Sequence, residues 1–299
     1  MKRSSLFTPW LLNALLMAGV AQFALPASAV VTVVAQYRLG EADGAVTVGA
    51  VAASGTQPSV GATTLTAAGT PRYSNAASPA PRPSPLSVQF NGTTDGFRAP
   101  GVLSTVTNNF GVEAWVRATS TSGNSQVVYN GNSSTTGWGI FRAGSNWGVL
   151  FGGQILATST SPSVDLNTWT HLALVRDGGT TTLYKNGATL LTTTIAPATP
   201  SGAFAIGIAS LGPGEFFEGN IDEVRVFTFA PGQFSTADLQ TRLSYVDPPM
   251  VVPVNSATWL HSVVPAEPGS LVRVALVTGE FVIAMLVGAG ALIAGYYGW

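Results

Sequence analysis

The sequence contains no cysteine, so neither a disulfide framework nor a thiolate-held metal centre can exist in it. Charge is also scarce: 13 Lys and Arg stand against 14 Asp and Glu in 299 residues, a net charge of −1. A chain this close to neutral lacks the basic stripe of a nucleic-acid binder, and nucleic acid is not expected as a partner. Two histidines, His171 and His261, leave little material for histidine-based catalysis or transition-metal ligation. What is abundant instead is glycine (34) and proline (19), together with Thr, Ser, Val and Ala, a composition of short strands joined by tight turns.

The two ends read differently from the middle. Positive charge at Lys2 and Arg3 precedes an apolar run over 10–21, and Ala27-Ser28-Ala29 supplies a small-x-small cleavage pattern, so residues 1–29 read as a secretory signal peptide, with an uncleaved N-terminal anchor as the alternative. Residues 281–299 hold no charged side chain and are just long enough, as a helix, to cross a hydrocarbon core of about 30 Å. The sequence predicts a single membrane-spanning helix over 274–299, following a linker over 246–273. Tyr296, Tyr297 and Trp299 would lie at one interface, while Gly288, Gly290 and Gly295 would let a partner helix approach closely. A buried strand or helix of the globular fold is the alternative. Upstream, Val263-Val264-Pro265-Ala266-Glu267-Pro268-Gly269-Ser270 resembles the Pro-Glu-Pro signal of exosortase-sorted proteins, although Ala266 interrupts the motif and no terminal arginine cluster follows.

Residues 30–245 carry the strand signals. A proline-rich stretch over 55–85 is expected to be an extended surface excursion rather than sheet, because alternating prolines cannot donate ladder hydrogen bonds. In the run 110–117, Phe110, Val112, Ala114 and Val116 share one face and Glu113, Trp115 and Arg117 the other. Three antiparallel strands over 171–176, 180–185 and 188–193 are predicted from the turns at Asp177-Gly178-Gly179 and Asn186-Gly187, whose residues accept the positive φ of tight hairpins. Residues 221–227 form another strand, and a short helix is expected over 235–245 with Ser235 as N-cap and Asp238 three residues on. The whole predicts an all-β, two-sheet antiparallel jelly-roll sandwich.

Several pieces in order resemble one family: Tyr37-Arg38-Leu39-Gly40-Glu41; Val88-Gln89-Phe90-Asn91-Gly92; 110–117; Asn167-Thr168-Trp169-Thr170-His171 and the following Leu172-Ala173-Leu174-Val175; Leu183-Tyr184-Lys185-Asn186-Gly187; and Gly219-Asn220-Ile221-Asp222-Glu223-Val224-Arg225. Together they resemble the laminin-G-like jelly roll of the concanavalin A-like lectin and glucanase superfamily. That resemblance implies two packed antiparallel sheets, frequent calcium, and binding to glycans or to other proteins.

Catalysis is not expected. A glycosidase needs two carboxylates about 5–9 Å apart on one cleft, yet the only acidic cluster is Glu215, Glu218, Asp222 and Glu223, and the alternately spaced acidic triplet of the glucanase branch is absent. Asp222, Glu223 and Arg225 are instead expected to tie their strand to its neighbours. For Ca2+, Glu41, Asp43 and Asp222 are the candidate ligands, in a site joining first and last strands. For a ligand, Tyr129, Trp138, Asn146 and Trp147 are the candidates, since sugar rings stack on flat aromatic faces beside hydrogen-bonding amides. The runs at 138–141 and 147–151 also read as two hairpin strands, which makes core packing the stronger alternative for both tryptophans. Trp115 and Trp169 are expected in the core, and His171 as a satisfied core histidine.

The expected function is a non-catalytic exported binding or adhesion module, with a glycan or protein ligand, anchored by its C-terminal helix on the periplasmic or cell-surface side of a bacterial membrane. The alternative is a structural accessory subunit of a membrane complex, its helix packed on integral membrane protein partners and its jelly roll capping the exported side.

Overall fold

The computed structural model describes residues 31–40, 46–52, 55–80, 85–158 and 161–241, and the backbone of strands at 272–278, 281–288 and 291–294. The signal-peptide stretch, Glu41, Asp43, Gly290, Gly295 and the linker up to residue 271 lie outside the described residues.

Fifteen strands build the sandwich: β1 (Thr32–Tyr37), β2 (Thr66–Ala68), β3 (Arg72–Ser74), β4 (Ser87–Asn91), β5 (Gly96–Ala99), β6 (Phe110–Ala118), β7 (Asn124–Gly131), β8 (Trp138–Ala143), β9 (Asn146–Phe151), β10 (Gln154–Thr158), β11 (Thr170–Asp177), β12 (Thr180–Lys185), β13 (Ala188–Thr193), β14 (Ala203–Ile206) and β15 (Glu218–Thr228). Sheet 1 runs β13-β12-β11-β6-β15-β4-β3, with β1 also on β15, and sheet 2 runs β10-β9-β8-β7-β14-β5-β2. Neighbours are antiparallel throughout. The chain is therefore the two-sheet antiparallel sandwich that strand alternation and turn chemistry predict.

The alternation of β6 decides how the sheets face each other. Phe110, Val112, Ala114, Val116 and Ala118 enter the main core with Leu172 and Leu174 of β11, Val224 and Val226 of β15, and Trp138, Trp147 and Val149 from sheet 2. Trp138 stacks on Phe110 with ring centroids 4.3 Å apart. The hairpins of β11, β12 and β13 fall where the turn residues place them: Gly178 and Gly179 have φ of 54° and 88°, and Asn186 and Gly187 have 53° and 81°. These left-handed pairs match the twist of the flanking strands.

Three expectations are corrected. The stretch over 55–85 is not all excursion, because β2 and β3 lie inside it as three-residue edge strands on β5 and β4. Both precede the alternating prolines, and an edge strand needs donors on one side only. The short helix reduces to a single 3-10 turn, Thr236–Asp238, within the described residues; its cap is as predicted, Ser235 and Asp238 exchanging side-chain and backbone hydrogen bonds. The third concerns local structure at the apolar C-terminus, where the described residues form β16 (Val272–Thr278), β17 (Phe281–Gly288) and β18 (Ala291–Ala294), an antiparallel three-stranded sheet in which Gly288 ends β17, and the membrane-spanning helix expected over 274–299 is not shown. Val272, Val274, Val277, Val282, Ile283 and Val287 favour strands, and an uninterrupted apolar run does not by its periodicity tell helix from strand. No helix among the described residues is long and apolar enough to cross a membrane.

Candidate functional site

Because Phe110, Val112, Ala114 and Val116 face inward, Glu113 and Trp115 stand on the face of sheet 1 turned away from sheet 2. In the registers of β11 and β15, His171 and Asp222 both lie opposite Trp115, and Arg225 lies opposite Glu113. Three strands thus bring Glu113, His171 and Arg225 together, all fully buried. Glu113 Oε2 accepts from His171 Nε2 at 2.9 Å and from the Gln240 backbone N–H at 3.0 Å, while Oε1 pairs with Arg225 Nε. Burial opposes charge on Glu113, yet the Arg225 guanidinium and the His171 and Gln240 hydrogen bonds outweigh it and hold the carboxyl below its ordinary range. An ionised carboxylate only accepts, so His171 Nε2 carries the proton; His171 Nδ1 is buried and makes no hydrogen bond.

This cluster is roofed by the chain after β15. Arg225 Nη2 donates to the Asp238 carbonyl at 2.5 Å, and Trp115 Nε1 donates to the Gln240 carbonyl at 3.0 Å. Leu239 packs into a second apolar cluster with Ala173, Val175, Phe227 and Phe229. Where the roof stops, an open cleft of about 780 Å³ begins, lined by Ala77, Ser78, Pro79, Trp115, Asn167, Thr168, Trp169, His171, Asn186 and Thr241. No carboxylate is among the described residues of its lining. Trp169 is half-buried, and Asn167, Thr168 and Asn186 are exposed. Asn167 takes a left-handed φ of 58°, with its backbone fixed by bonds to the Ala118 carbonyl and from Arg117 Nε. Asn186 Oδ1 accepts the His171 backbone N–H at 2.9 Å and holds the β12–β13 turn against the start of β11.

Most residues singled out from the sequence lie elsewhere. Trp138 and Trp147 are 0 % and 1 % exposed in the main core, and Tyr129 is 0 % exposed in a small cluster with Phe141 and Leu150. Their rings offer no stacking face, because each sits on a strand between covered layers; Tyr129 is pinned by bonds to the Thr136 carbonyl and from the Gly152 N–H. Asn146 opens β9, partly exposed and apart from the cleft lining. Asp222 is buried, with Oδ2 accepting the Ser78 N–H and Oδ1 the Glu223 N–H, both at 3.0 Å. Burial first, and Glu223 beside it, push its carboxyl well above the ordinary range. Glu223, at a bulge in β15 with φ 47°, accepts from Gln36 Nε2 and pairs with Arg38 Nε at 3.5 Å. Glu223 and Arg225 thus tie β15 to β1 and β6 as expected, whereas Asp222 bonds the loop residue Ser78 and its own strand instead. The core position of Trp169 is corrected: the residue precedes β11 and lines the cleft. Trp115 is buried, but beneath the roof rather than between the sheets. The alternation of β6 already set Glu113 and Trp115 apart from the core, yet nothing in the sequence spacing revealed that the roof closes over them.

Residues 91–233 match the family model described as the concanavalin A-like lectin/glucanases superfamily, of laminin-G type. This stretch resembles a laminin-G-like domain. The chain resembles domain 4 of AbnA, a GH43 extracellular arabinanase from Geobacillus stearothermophilus, solved in complex with arabinotriose, at 20 % identity and a TM-score of 0.49 over 71 % of this chain and 99 % of that one. It also resembles the receptor binding domain of botulinum neurotoxin type G, at 12 % identity and a TM-score of 0.47 over 69 % of this chain and 49 % of that one. A heptameric SAP-like pentraxin from Limulus polyphemus aligns at 16 % identity and a TM-score of 0.36, over 47 % and 74 % of the two chains. Among curated proteins the chain matches none. In the laminin-G-like domain the cleft beside Trp169 joins β6, β11 and the β12–β13 turn, all within the matched residues, to Ala77–Pro79 and Thr241 outside them.

Proposed function

We propose that the laminin-G-like domain is a non-catalytic binding module whose cleft takes a neutral glycan, and that the protein is exported and held at a membrane by its apolar C-terminal segment. The observation carrying the ligand reading is the composition of the cleft: half-buried Trp169 beside exposed Asn167, Thr168 and Asn186, with no carboxylate among the described residues of the lining. An indole face packs against the C–H face of a sugar ring while amides and hydroxyls pair with its hydroxyl groups. Hydrolysis of a glycoside uses two carboxylates across the bond, and a lining without either among the described residues favours binding.

Isothermal titration of arabino-, xylo-, cello- and manno-oligosaccharides tests this reading. Binding of at least one of these, weakened tenfold or more by Trp169→Ala while the melting temperature falls by no more than about 4 °C, is the expected result. Binding indifferent to that substitution, or oligosaccharide shortened during the titration, overturns it.

Export and attachment rest on the residues at both ends: the basic start, apolar run and small-x-small site at 27–29, and the uncharged run over 281–299. Recovery of a chain starting near Val30 in carbonate-washed membranes is expected, and recovery in the soluble fraction would refute attachment.

A further inference from the structure

After β15 the chain crosses the outer face of sheet 1 from Ser235 to Thr241 without joining any strand. Contacts along its length seat it. Leu239 is buried in the cluster of Ala173, Val175, Phe227 and Phe229; the Gln240 N–H donates to Glu113; the Gln240 carbonyl accepts from Trp115; and the Asp238 carbonyl accepts from Arg225. Its last residue, Thr241, lines the cleft, and the sequence runs on from there toward β16.

Lifting this segment breaks no sheet ladder, so its opening is separable from global unfolding. The groups beneath it also respond unequally. Glu113 keeps His171 and Arg225, both on strands of sheet 1, and gains water in place of one backbone N–H, so hydration offsets much of the polar loss. Nothing offsets the exposure of Leu239 and of the apolar side chains around it. Closure is therefore decided mainly by one apolar side chain over a charged floor, an arrangement with two accessible states.

We propose that residues 235–241 are a latch coupling the cleft to the C-terminal segment: seated, they complete the cleft wall at Thr241 and cover Trp115; lifted, they remove that wall and uncover the indole. A ligand that touches the wall favours the seated state by linkage. The ligand half of this coupling rests on the binding reading above; the opening itself does not.

Hydrogen exchange on the full chain in detergent micelles, with ¹⁵N-labelled tryptophan to follow the indole N–H groups, tests the latch in the wild type, Leu239→Ala and Gln240→Pro. The proline removes the N–H given to Glu113 and leaves Leu239 in place, whose ψ of 144° already suits a following proline. In the wild type, the amides of 237–240 should exchange at least tenfold faster than those of β6 and β11. Each variant should speed the amides that remain, 237–239 in Gln240→Pro and 237–240 in Leu239→Ala, a further tenfold or more, and the Trp115 indole should accelerate in step while the Trp138 indole, bonded to the Val106 carbonyl, does not. Exchange of these amides in a single event with β6 and β11 in the wild type and in Gln240→Pro overturns the latch, as does a Trp115 indole that stays protected while they accelerate. If Leu239→Ala unfolds the domain, Gln240→Pro carries the test. Oligosaccharide titrations that fail while the exchange pattern holds remove the binding reading and leave the latch standing.

Discussion

At the scale of single residues, the tryptophans divide by what surrounds them. Trp138 is stacked on Phe110 and bonded through Nε1 to the Val106 carbonyl, so Trp138→Ala should cost about 3–5 kcal/mol, read by urea unfolding. Trp169 is half-buried at a cleft wall, and Trp169→Ala should cost under about 1 kcal/mol, as for positions outside the core. Glu113 makes a pH prediction. Its folded carboxyl titrates below the ordinary value, so its contribution is fully present above the unfolded value of about 4.3 and is lost as pH falls through the lowered one. Glu113→Gln should destabilise the domain by about 3–5 kcal/mol at pH 7, by leaving Arg225 buried without its counter-charge, and should flatten the acid side of the stability–pH curve. A mutant curve as steep as the wild type below pH 4 would show that another group governs acid unfolding.

At the scale of elements, hairpin chemistry is the most exposed to test. Gly187 holds φ 81° in the β12–β13 turn, and an added Cβ there meets only Thr241 Cγ2 at 3.5 Å. The cost of Gly187→Ala is therefore conformational, about 1–2 kcal/mol, and should appear in denaturant unfolding without a change in the m-value. This turn also shows why so much of the fold was legible: Asn186-Gly187 and the alternation of β6 are local patterns, and local patterns fix strands and their faces. The cleft was legible only in fragments. Trp169 looked like core because it sits beside a buried strand, whereas the hairpin pattern around Trp138 and Trp147 already favoured the core positions that they occupy. Which aromatic meets solvent depends on segments 77–79 and 235–241 arriving from far along the chain. The roof shows the same limit, for its capping box was readable at Ser235 and Asp238 whereas its landing place on Glu113 was not.

At the scale of the whole molecule, the C-terminal strands and the proposed membrane attachment are in physical tension. An open three-stranded sheet placed in hydrocarbon leaves the backbone groups of its two edges, β16 and β18, unpaired, and bilayers admit only helices or closed barrels. Insertion as a single span would therefore require a strand-to-helix change. Circular dichroism of the full chain should gain helical signal at 222 nm on reconstitution into phosphatidylcholine and phosphatidylglycerol vesicles. A spectrum that stays all-β while the protein floats with the vesicles would show that attachment uses something other than a spanning helix.

The pairing of β1 with β15, in which Thr32 meets Thr228 and Tyr37 meets Val224, has a consequence for how the chain is made. Although Gln36 bridges Val60 nearby, the ladder partner of β1 is the last strand of the sandwich, so that ladder closes only after nearly all of the described sandwich has been made. Such long-range closure gives high contact order and slow folding, and the edge of β1 left open until β15 arrives is where a nascent chain is most exposed to pairing with the wrong strand.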